Sequence, residues 1–492
     1  MKRRLTVAAL LVLAVAAWFR LHDLGRWSID SDEFFSLVDV QDLIDGEWPE
    51  AVQSHPLGFL GMALMARLFG ETEWALRIFP ALAGLGAVVC LLTLRRDVIA
   101  RQAALVTAAL AAISPWLIYH SQEARFYGPL LLFATLATLW ALPGPGRRPW
   151  AAVVGFVAAC LCHPSAVLLA PGLLFPDLKR LLNWRRSLLL LAVTGGGLWL
   201  WMTVGEGAIR DVLVRALTLR PTAGYDAKHF VAGLGYNLGI GTGLLVLCGA
   251  LAAVRRRSVD DWQLLICACF PPLWLLGMSA FGVSTQQRYA MAAIPAALLL
   301  AGAGWCSLRE RRALRVGFTV IALLAPLPEL YAYSQNGDRH DMRGMAEWLA
   351  EHMTPQDILV ADEHSAIEIY LWKNERFSEV IAWEAPVSQK NMFGFLRNRR
   401  EVWVVLKANR MGGVYGETFM EWLSEHFIEQ ARIGIEPPFL VRHDNRLIVW
   451  KRRARITDGR GAPAAEQSPP ASQAAPGEPD GEPPTSSPKD GL

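Results

Sequence analysis

Three carboxylates stand within four residues at Asp30-Ser31-Asp32-Glu33, shortly after the first apolar run. Acids at the mouth of an apolar bundle are costly to hold in a low-dielectric setting, so they need a reason. One reason is structural. Asp30 with Glu33 three residues on fits a capping box that opens a helix running to about Asp45, and the helix dipole favours a further acid such as Asp32 in the first turn. The other reason is chemical: a positioned carboxylate can take a proton from a hydroxyl nucleophile. Capping uses Asp30 and Glu33 and does not require Asp32, so Asp32 is the candidate for chemistry.

The cations that break an otherwise one-sided charge pattern come next. Arg77, Arg125 and Arg288 fall near the outer ends of apolar spans, and Arg210, Arg215, Arg220 and Lys228 precede the eighth span. Guanidiniums at headgroup depth suit an anionic ligand such as a lipid phosphate. Interfacial snorkelling is the competing account and the simpler one for the loop cations. Arg125 lies in Tyr119-His120-Ser121-Gln122-Glu123-Ala124-Arg125-Phe126-Tyr127, which gathers a carboxylate, a guanidinium, an amide and two phenols. A structural ion pair between Glu123 and an arginine is the alternative for that turn. Gln286-Gln287-Arg288-Tyr289 opens the tenth span. Cys160-x-Cys162-His163 could be imagined as a metal site, but residues two apart on a helix do not share a face. The seven cysteines all fall in apolar stretches and indicate no disulfide framework.

These residues must be positioned by membrane helices. The chain has 492 residues, 53% hydrophobic and 19% charged, with 19 Trp and a mean hydropathy of +0.27, less charge than a soluble chain of this size carries. Eleven candidate spans are expected at 5–20, 74–94, 103–120, 126–143, 150–163, 164–178, 187–204, 232–254, 262–281, 288–307 and 314–333, each long enough or nearly so for the hydrocarbon core. The first is read as a retained helix rather than a cleaved signal peptide. Basic clusters at Lys2-Arg3-Arg4, Arg95-Arg96, Arg147-Arg148, Lys179-Arg180, Arg255-Arg256-Arg257 and Arg309–Arg315 alternate with these spans. They fall on one side, which the positive-inside rule makes the cytoplasm. The acidic knot, His120–Arg125 and the loop 205–231 then face outward.

The expected organisation is therefore a transmembrane part at 1–333 with an outer loop at 21–73, a small outward α/β domain at 334–453, and a tail at 454–492. In the α/β part a helix is expected at Asp341–Met353 and strands at Ile358–Ala361, Val380–Trp383 and Glu401–Leu406. Phe439–Arg442 and Leu447–Lys451 around an Asp444-Asn445 turn read as a closing hairpin. The tail is rich in Pro, Ser, Ala, Gly and Glu, cannot bury enough surface to offset its ordering entropy, and is expected to be disordered.

Asp32-Glu33 after the first span resembles the acidic motif of the GT-C glycosyltransferases, most closely glycosyltransferase family 39 and its bacterial relatives, among them the lipid A aminoarabinose transferase. Ser54-His55-Pro56-Leu57, Ala75-Leu76-Arg77-Ile78-Phe79-Pro80, Ser114-Pro115-Trp116 leading into Ser121–Tyr127, Arg288-Tyr289 leading into Ile294-Pro295-Ala296, and Asp341-Met342-Arg343-Gly344 are similar to further motifs of that family. The family often has a second proline where Leu57 stands, and the tail has no counterpart in it. The resemblance implies a GT-C fold and an inverting transfer of a sugar from a polyprenyl-phosphate donor to a glycan, lipid or protein hydroxyl on the outer face of the inner membrane. It assigns Asp32 as base or acceptor-orienting carboxylate, Glu33 as its supporting neighbour, and Arg125 and Arg288 as donor phosphate ligands. His55, Glu123, Tyr127, Arg77 and Tyr289 stand in the second rank. A divalent metal is left open, membrane lipids are expected partners, and nucleic acid is not. The main rival is a transporter or flippase of lipid-linked glycans. Transporters carry ionisable groups at mid-membrane and often internal repeats, whereas the charges here cluster at the outer ends of spans.

Overall fold

The structure is a computed structural model that describes residues 2–178, 227–280, 285–337, 339–378, 382–384, 401–411, 417–436 and 444–453. The expected span at 187–204, the cations Lys179, Arg180, Arg210, Arg215 and Arg220, the expected strand at Phe439–Arg442 and the tail at 454–492 lie outside these residues.

Helix α1 is Lys2–Leu21 and α2 is Ser31–Ile44, followed by a short α3 at Glu50–Ser54. Helix α4 is Pro56–Phe69, α5 Glu73–Thr93, α6 Arg101–Ile113, α7 Pro115–Gln122, α8 Tyr127–Ala141 and α9 Pro149–Cys162. The acidic knot opens α2 as its spacing predicts. Asp30 is the N-cap, its side chain accepts from the Glu33 N–H, and Glu33 reaches back to the Asp30 N–H. The α2 face carrying Glu33, Ser36, Leu37 and Val40 is buried, as the helical repeat places them together.

Among the described residues four helices are long and apolar enough to cross a membrane: Glu73–Thr93, Val259–Ala280, Gln287–Ser307 and Arg312–Gln335. The number rises to six if each of two bent pairs is one span. One bend, of 62°, separates α6 from α7 at Ser114-Pro115. Pro115 lacks the N–H that a continuous helix needs, and the Ser114 hydroxyl caps the new helix by accepting from Leu117. The other bend, of 95°, separates Ala227–Leu238 from Ile240–Arg256 at Gly239, whose φ is +76°. That left-handed backbone is open to glycine and strained for most other residues. Helix α4 is an apolar helix inside the stretch 21–73 that reads as a loop in the sequence; Pro56 starts it and Gly70, with φ +84°, ends it. At Gly128 a Cβ would lie 2.3 Å from the Pro80 carbonyl oxygen, so only glycine lets α8 approach α5 this closely.

After the last apolar helix the chain forms a five-stranded sheet ordered β2-β1-β3-β5-β4, with β1 at Ile358–Ala361, β2 at Ala382–Glu384, β3 at Val402–Lys407, β4 at Phe427–Ile433 and β5 at Leu447–Arg452. Strand β1 pairs in parallel with β2 and β3, while β5 pairs antiparallel with β3 and β4. The closing partner of β5 is therefore β4, which the sequence reading missed. It is an edge strand whose residues alternate between partly buried and exposed, a weaker signal than the fully buried runs of β1 and β3. Met1–Arg452 form one compact unit.

A polar seam ties the sheet region to the start of α2. Tyr370, on the helix His364–Trp372, accepts from the Ile29 N–H at 2.8 Å and donates to Glu73 at 3.2 Å. Ser28 donates to Asp341 and accepts from the Arg343 N–H, and Arg343 pairs with Glu73 at 3.0 Å. These contacts hold the residues before α2 and the start of α5 against the helices Met342–His352 and His364–Trp372.

Candidate functional site

Glu33 is fully buried and held by two arginines and backbone N–H groups. Arg77 of α5 donates Nε to Oε1 at 2.7 Å and Nη2 to Oε2 at 2.5 Å, a two-pronged contact. The Ala124 N–H donates to Oε1 at 2.7 Å, and Arg339 adds a 3.3 Å contact. Arg77 also donates to the carbonyls of Leu24, Trp27 and Ser28. Burial alone would raise the Glu33 carboxyl, but Arg339 and Arg77 outweigh it and hold it at about 2. Asp30, beside it, takes the opposite course: burial, with Glu33 and Glu123 adding repulsion, pushes its carboxyl up to about 6. Tyr119 donates to the second Asp30 oxygen at 3.1 Å.

Asp32, one residue before Glu33, turns the other way. Its carboxylate lines a polar cavity of about 470 Å3 and is ion-paired with Arg288, which opens the span Gln287–Ser307. Burial would raise the Asp32 carboxyl, but Arg288 and Arg125 prevail and hold it below the ordinary aspartate range. Arg125 does not line this cavity. Its Nη1 donates to the Asp32 backbone carbonyl at 3.1 Å and to Ser36 Oγ at 3.0 Å, bracing the first turn of α2.

The break at Ser114-Pro115 brings Trp116, Tyr119 and His120 to the same cavity. Among the described residues Glu123 pairs with His120 Nδ1 at 2.6 Å and not with an arginine, the alternative considered for that turn. The remaining wall includes Tyr236, Asn237, Gln286, Gln287 and Glu329, with Glu363 and Arg410 from the sheet region. Pro115, Tyr236, Asn237 and Glu329 also line a second, largely apolar groove of about 610 Å3 that runs along Leu110, Ile113, Ile240 and Leu324.

Of the residues singled out in the sequence, Asp32 and Arg288 meet in the cavity, and Glu33, Arg77 and Glu123 are buried behind it. Tyr127 is buried with Arg288 5.6 Å over its ring, and Tyr289 lies against His163. His55 does not line the cavity; it stacks on Phe126 with ring centroids 3.9 Å apart, and burial lowers its imidazole to about 4. The sequence reading missed Arg339, which is buried and reaches Glu33 from beyond the last apolar helix. Its proximity to Asp341-Met342-Arg343-Gly344 was the available signal. Among the described residues no group of three or more His, Cys, Asp or Glu side chains is arranged to hold a metal ion. The oxygens of Asp30 and Glu33 are engaged by tyrosine, arginine and backbone donors, whereas Asp32 faces the cavity.

Residues 53–204 match the family model described as dolichyl-phosphate-mannose-protein mannosyltransferase. The crystal structure of ArnT from Cupriavidus metallidurans bound to undecaprenyl phosphate superposes with a TM-score of 0.51 at 15% identity, covering 91% of this chain and 98% of that one. The chain shares the fold of that structure. The same enzyme in its apo state gives 0.48 at 15% identity, with 91% and 98% covered. The apo oligosaccharyltransferase of Archaeoglobus fulgidus gives 0.48 at 13% identity, with 89% and 76% covered. No curated protein matches the sequence. The matched segment 53–204 contains Arg77, His120, Glu123, Arg125 and Tyr127, while Asp32 and Arg288 lie on either side of it. The chain is thus similar to the mannosyltransferase family model over 53–204 and shares its fold with that ArnT structure.

Proposed function

We propose that this protein transfers a sugar from a polyprenyl-phosphate donor to a hydroxyl acceptor at the outer face of the inner membrane, with inversion at the anomeric carbon. The observation that carries the reading is the Asp32–Arg288 ion pair at the wall of a polar cavity that shares residues with an apolar groove. The groove suits an isoprenoid chain, and the similar fold of an enzyme bound to undecaprenyl phosphate supports that use. The donor phosphate then competes with Asp32 for Arg288. A phosphate accepts charge-assisted, two-pronged contacts from a guanidinium, so the exchange is favourable once the groove is filled.

Release from Arg288 restores basicity to Asp32 where the acceptor hydroxyl must approach. Asp32 takes or orients the hydroxyl proton, and the oxygen attacks the anomeric carbon from the face opposite the phosphate. The C–O bond to the phosphate breaks with its electron pair, giving a phosphate monoester whose charge Arg288 stabilises. A lipid phosphate is a good leaving group and needs no separate acid. In this reading Glu33 and Arg77 are a buried clamp that aims Asp32, and Arg125 braces the same turn. No step is routed through a metal. Two measurements test the reading together: undecaprenyl phosphate binding by the purified protein in nanodiscs, and mass spectrometry of envelope glycans with and without it. Binding that survives Arg288→Ala unchanged, with no glycan altered, would count against it.

A further inference from the structure

The sheet supplies the cavity wall that the donor reading leaves unused. Strands β1 and β3 are parallel neighbours, and the chain leaves β1 toward β2 on one side and returns to β3 on the other. In open sheets such a switch in strand order leaves a crevice beyond the carboxyl ends of the two strands, where ligands bind. Here Asp362 and Glu363 follow β1 directly, while Lys407 closes β3 and Arg410 follows it. Asp362 is fully buried and pins the two ends together, accepting from the Lys407 N–H at 2.9 Å and from Arg410 at 3.1 Å.

Glu363 is built differently. One of its oxygens is ion-paired with Lys407, while the other, Oε2, is buried without a hydrogen-bond partner. Its φ is +52°, a left-handed backbone that a glutamate adopts only where its surroundings force it. Strained backbone of this kind clusters at binding sites, and a buried carboxylate oxygen left unpaired is costly. Glu363 and Arg410 line the same cavity as Asp32 and Arg288. Among the described residues none that lines the apolar groove comes from the sheet region, so the strand-end wall lies away from the donor's route.

We propose that the ends of β1 and β3 form the acceptor subsite, with Glu363 and Arg410 binding the hydroxyls of a neutral sugar. The inference rests on the donor reading above for its geometry, and it adds the acceptor's chemical class. The formal charges of Asp362, Glu363, Lys407 and Arg410 cancel, which suits an uncharged polyol better than a phosphate or carboxylate. The unpartnered Glu363 oxygen accepts a hydrogen bond from a sugar hydroxyl, Arg410 donates to a neighbouring oxygen, and Trp116 offers an apolar face within the same cavity.

The full chain in nanodiscs, free of sugar-based detergent, is titrated with neutral methyl glycosides of glucose, galactose and mannose, with glucose 6-phosphate, and with a serine-containing peptide. At least one neutral glycoside is expected to bind in preference to the anionic sugar and the peptide. Glu363→Gln removes the carboxylate, and Glu363→Gly removes it while relieving the backbone. Both are expected to weaken glycoside binding by about tenfold or more, with undecaprenyl phosphate binding unchanged. Because glycine suits a left-handed position, that variant also guards against misfolding. Unchanged glycoside affinity in both variants, no binding by any neutral glycoside, or preference for the anionic sugar or the peptide overturns the proposal. So does displacement of the glycoside by undecaprenyl phosphomannose but not by undecaprenyl phosphate, since the wall would then hold the donor's own sugar. Undecaprenyl phosphate binding that is insensitive to Arg288→Ala would instead sink the donor reading.

Discussion

Asp32 and Arg288 stand 256 residues apart in sequence and meet as an ion pair at the wall of the polar cavity. The pairing makes the proposed base and the proposed phosphate ligand occupy each other until a donor arrives. Asp32→Asn keeps the shape and most of the hydrogen bonding but removes the charge, and transfer is expected to fall by about 10²–10⁴-fold in folded protein. Arg288→Ala is expected to weaken donor binding, with Lys restoring it only in part. Because the two act as a unit, the double variant should lose far less than the product of the single losses. Strict multiplicativity in steady-state kinetics would separate their roles.

Glu33 is expected to behave as a structural residue. Glu33→Ala leaves Arg77 and Arg339 buried without their carboxylate, and breaking a buried pair from one side costs about 3–5 kcal/mol. Thermal unfolding in detergent, read with monodispersity, should register this before any kinetic effect. A variant that keeps wild-type stability and loses turnover would return Glu33 to the chemistry.

The folded-state shift of Asp30 gives a pH signature of definite sign. Its carboxyl is raised to about 6, above the unfolded value of about 3.9. The stability it contributes is therefore fully present below the unfolded value and lost as pH rises through the folded one. Asn caps a helix about as well as Asp. Asp30→Asn is thus expected to raise Tm relative to wild type at pH 8, and the advantage should shrink toward zero near pH 4. An equal shift at both pH values would mean that ionisation of Asp30 is irrelevant.

Arg125 and Arg288 should separate in kinetics, although both are guanidiniums beside Asp32. Arg125 braces Asp32 and Ser36 from outside the cavity. Arg125→Ala is expected to lower kcat with little change in donor KM, whereas Arg288→Ala raises donor KM. Matching donor KM defects would place Arg125 on the phosphate.

The apolar groove should discriminate by chain length. Ala325 lines it, and Ala325→Trp is expected to raise KM for a donor on an undecaprenyl chain several-fold while sparing a short-chain analogue. Equal sensitivity of the two donors would show that the chain lies elsewhere.

Much of the local structure was legible along the chain. The capping box at Asp30 and Glu33 formed as read because capping is set by residues three apart and needs no tertiary partner. Strands β1, β3 and β5 and the helix Met342–His352 fell where hydrophobic periodicity placed them. The interruptions of the expected spans at Ser114-Pro115 and Gly239 were less visible, since hydropathy averages over a window and does not register one proline or glycine. The break at Ser114-Pro115 is also what swings His120 into the cavity and Glu123 onto His120.

Reading along the chain was enough to find which residues carry charge near the ends of apolar spans, and to see that Asp32 is not needed for capping. It could not divide the acids by role. Asp32 and Glu33 are adjacent and chemically alike, but successive helical residues point about 100° apart. Only the packing of α5 and the segment after the last apolar helix placed Arg77 and Arg339 on one acid, while the span from Gln287 placed Arg288 on the other. The physical reason is that a carboxylate's function follows from the cations and water around it, and these arrive from helices tens to hundreds of residues away.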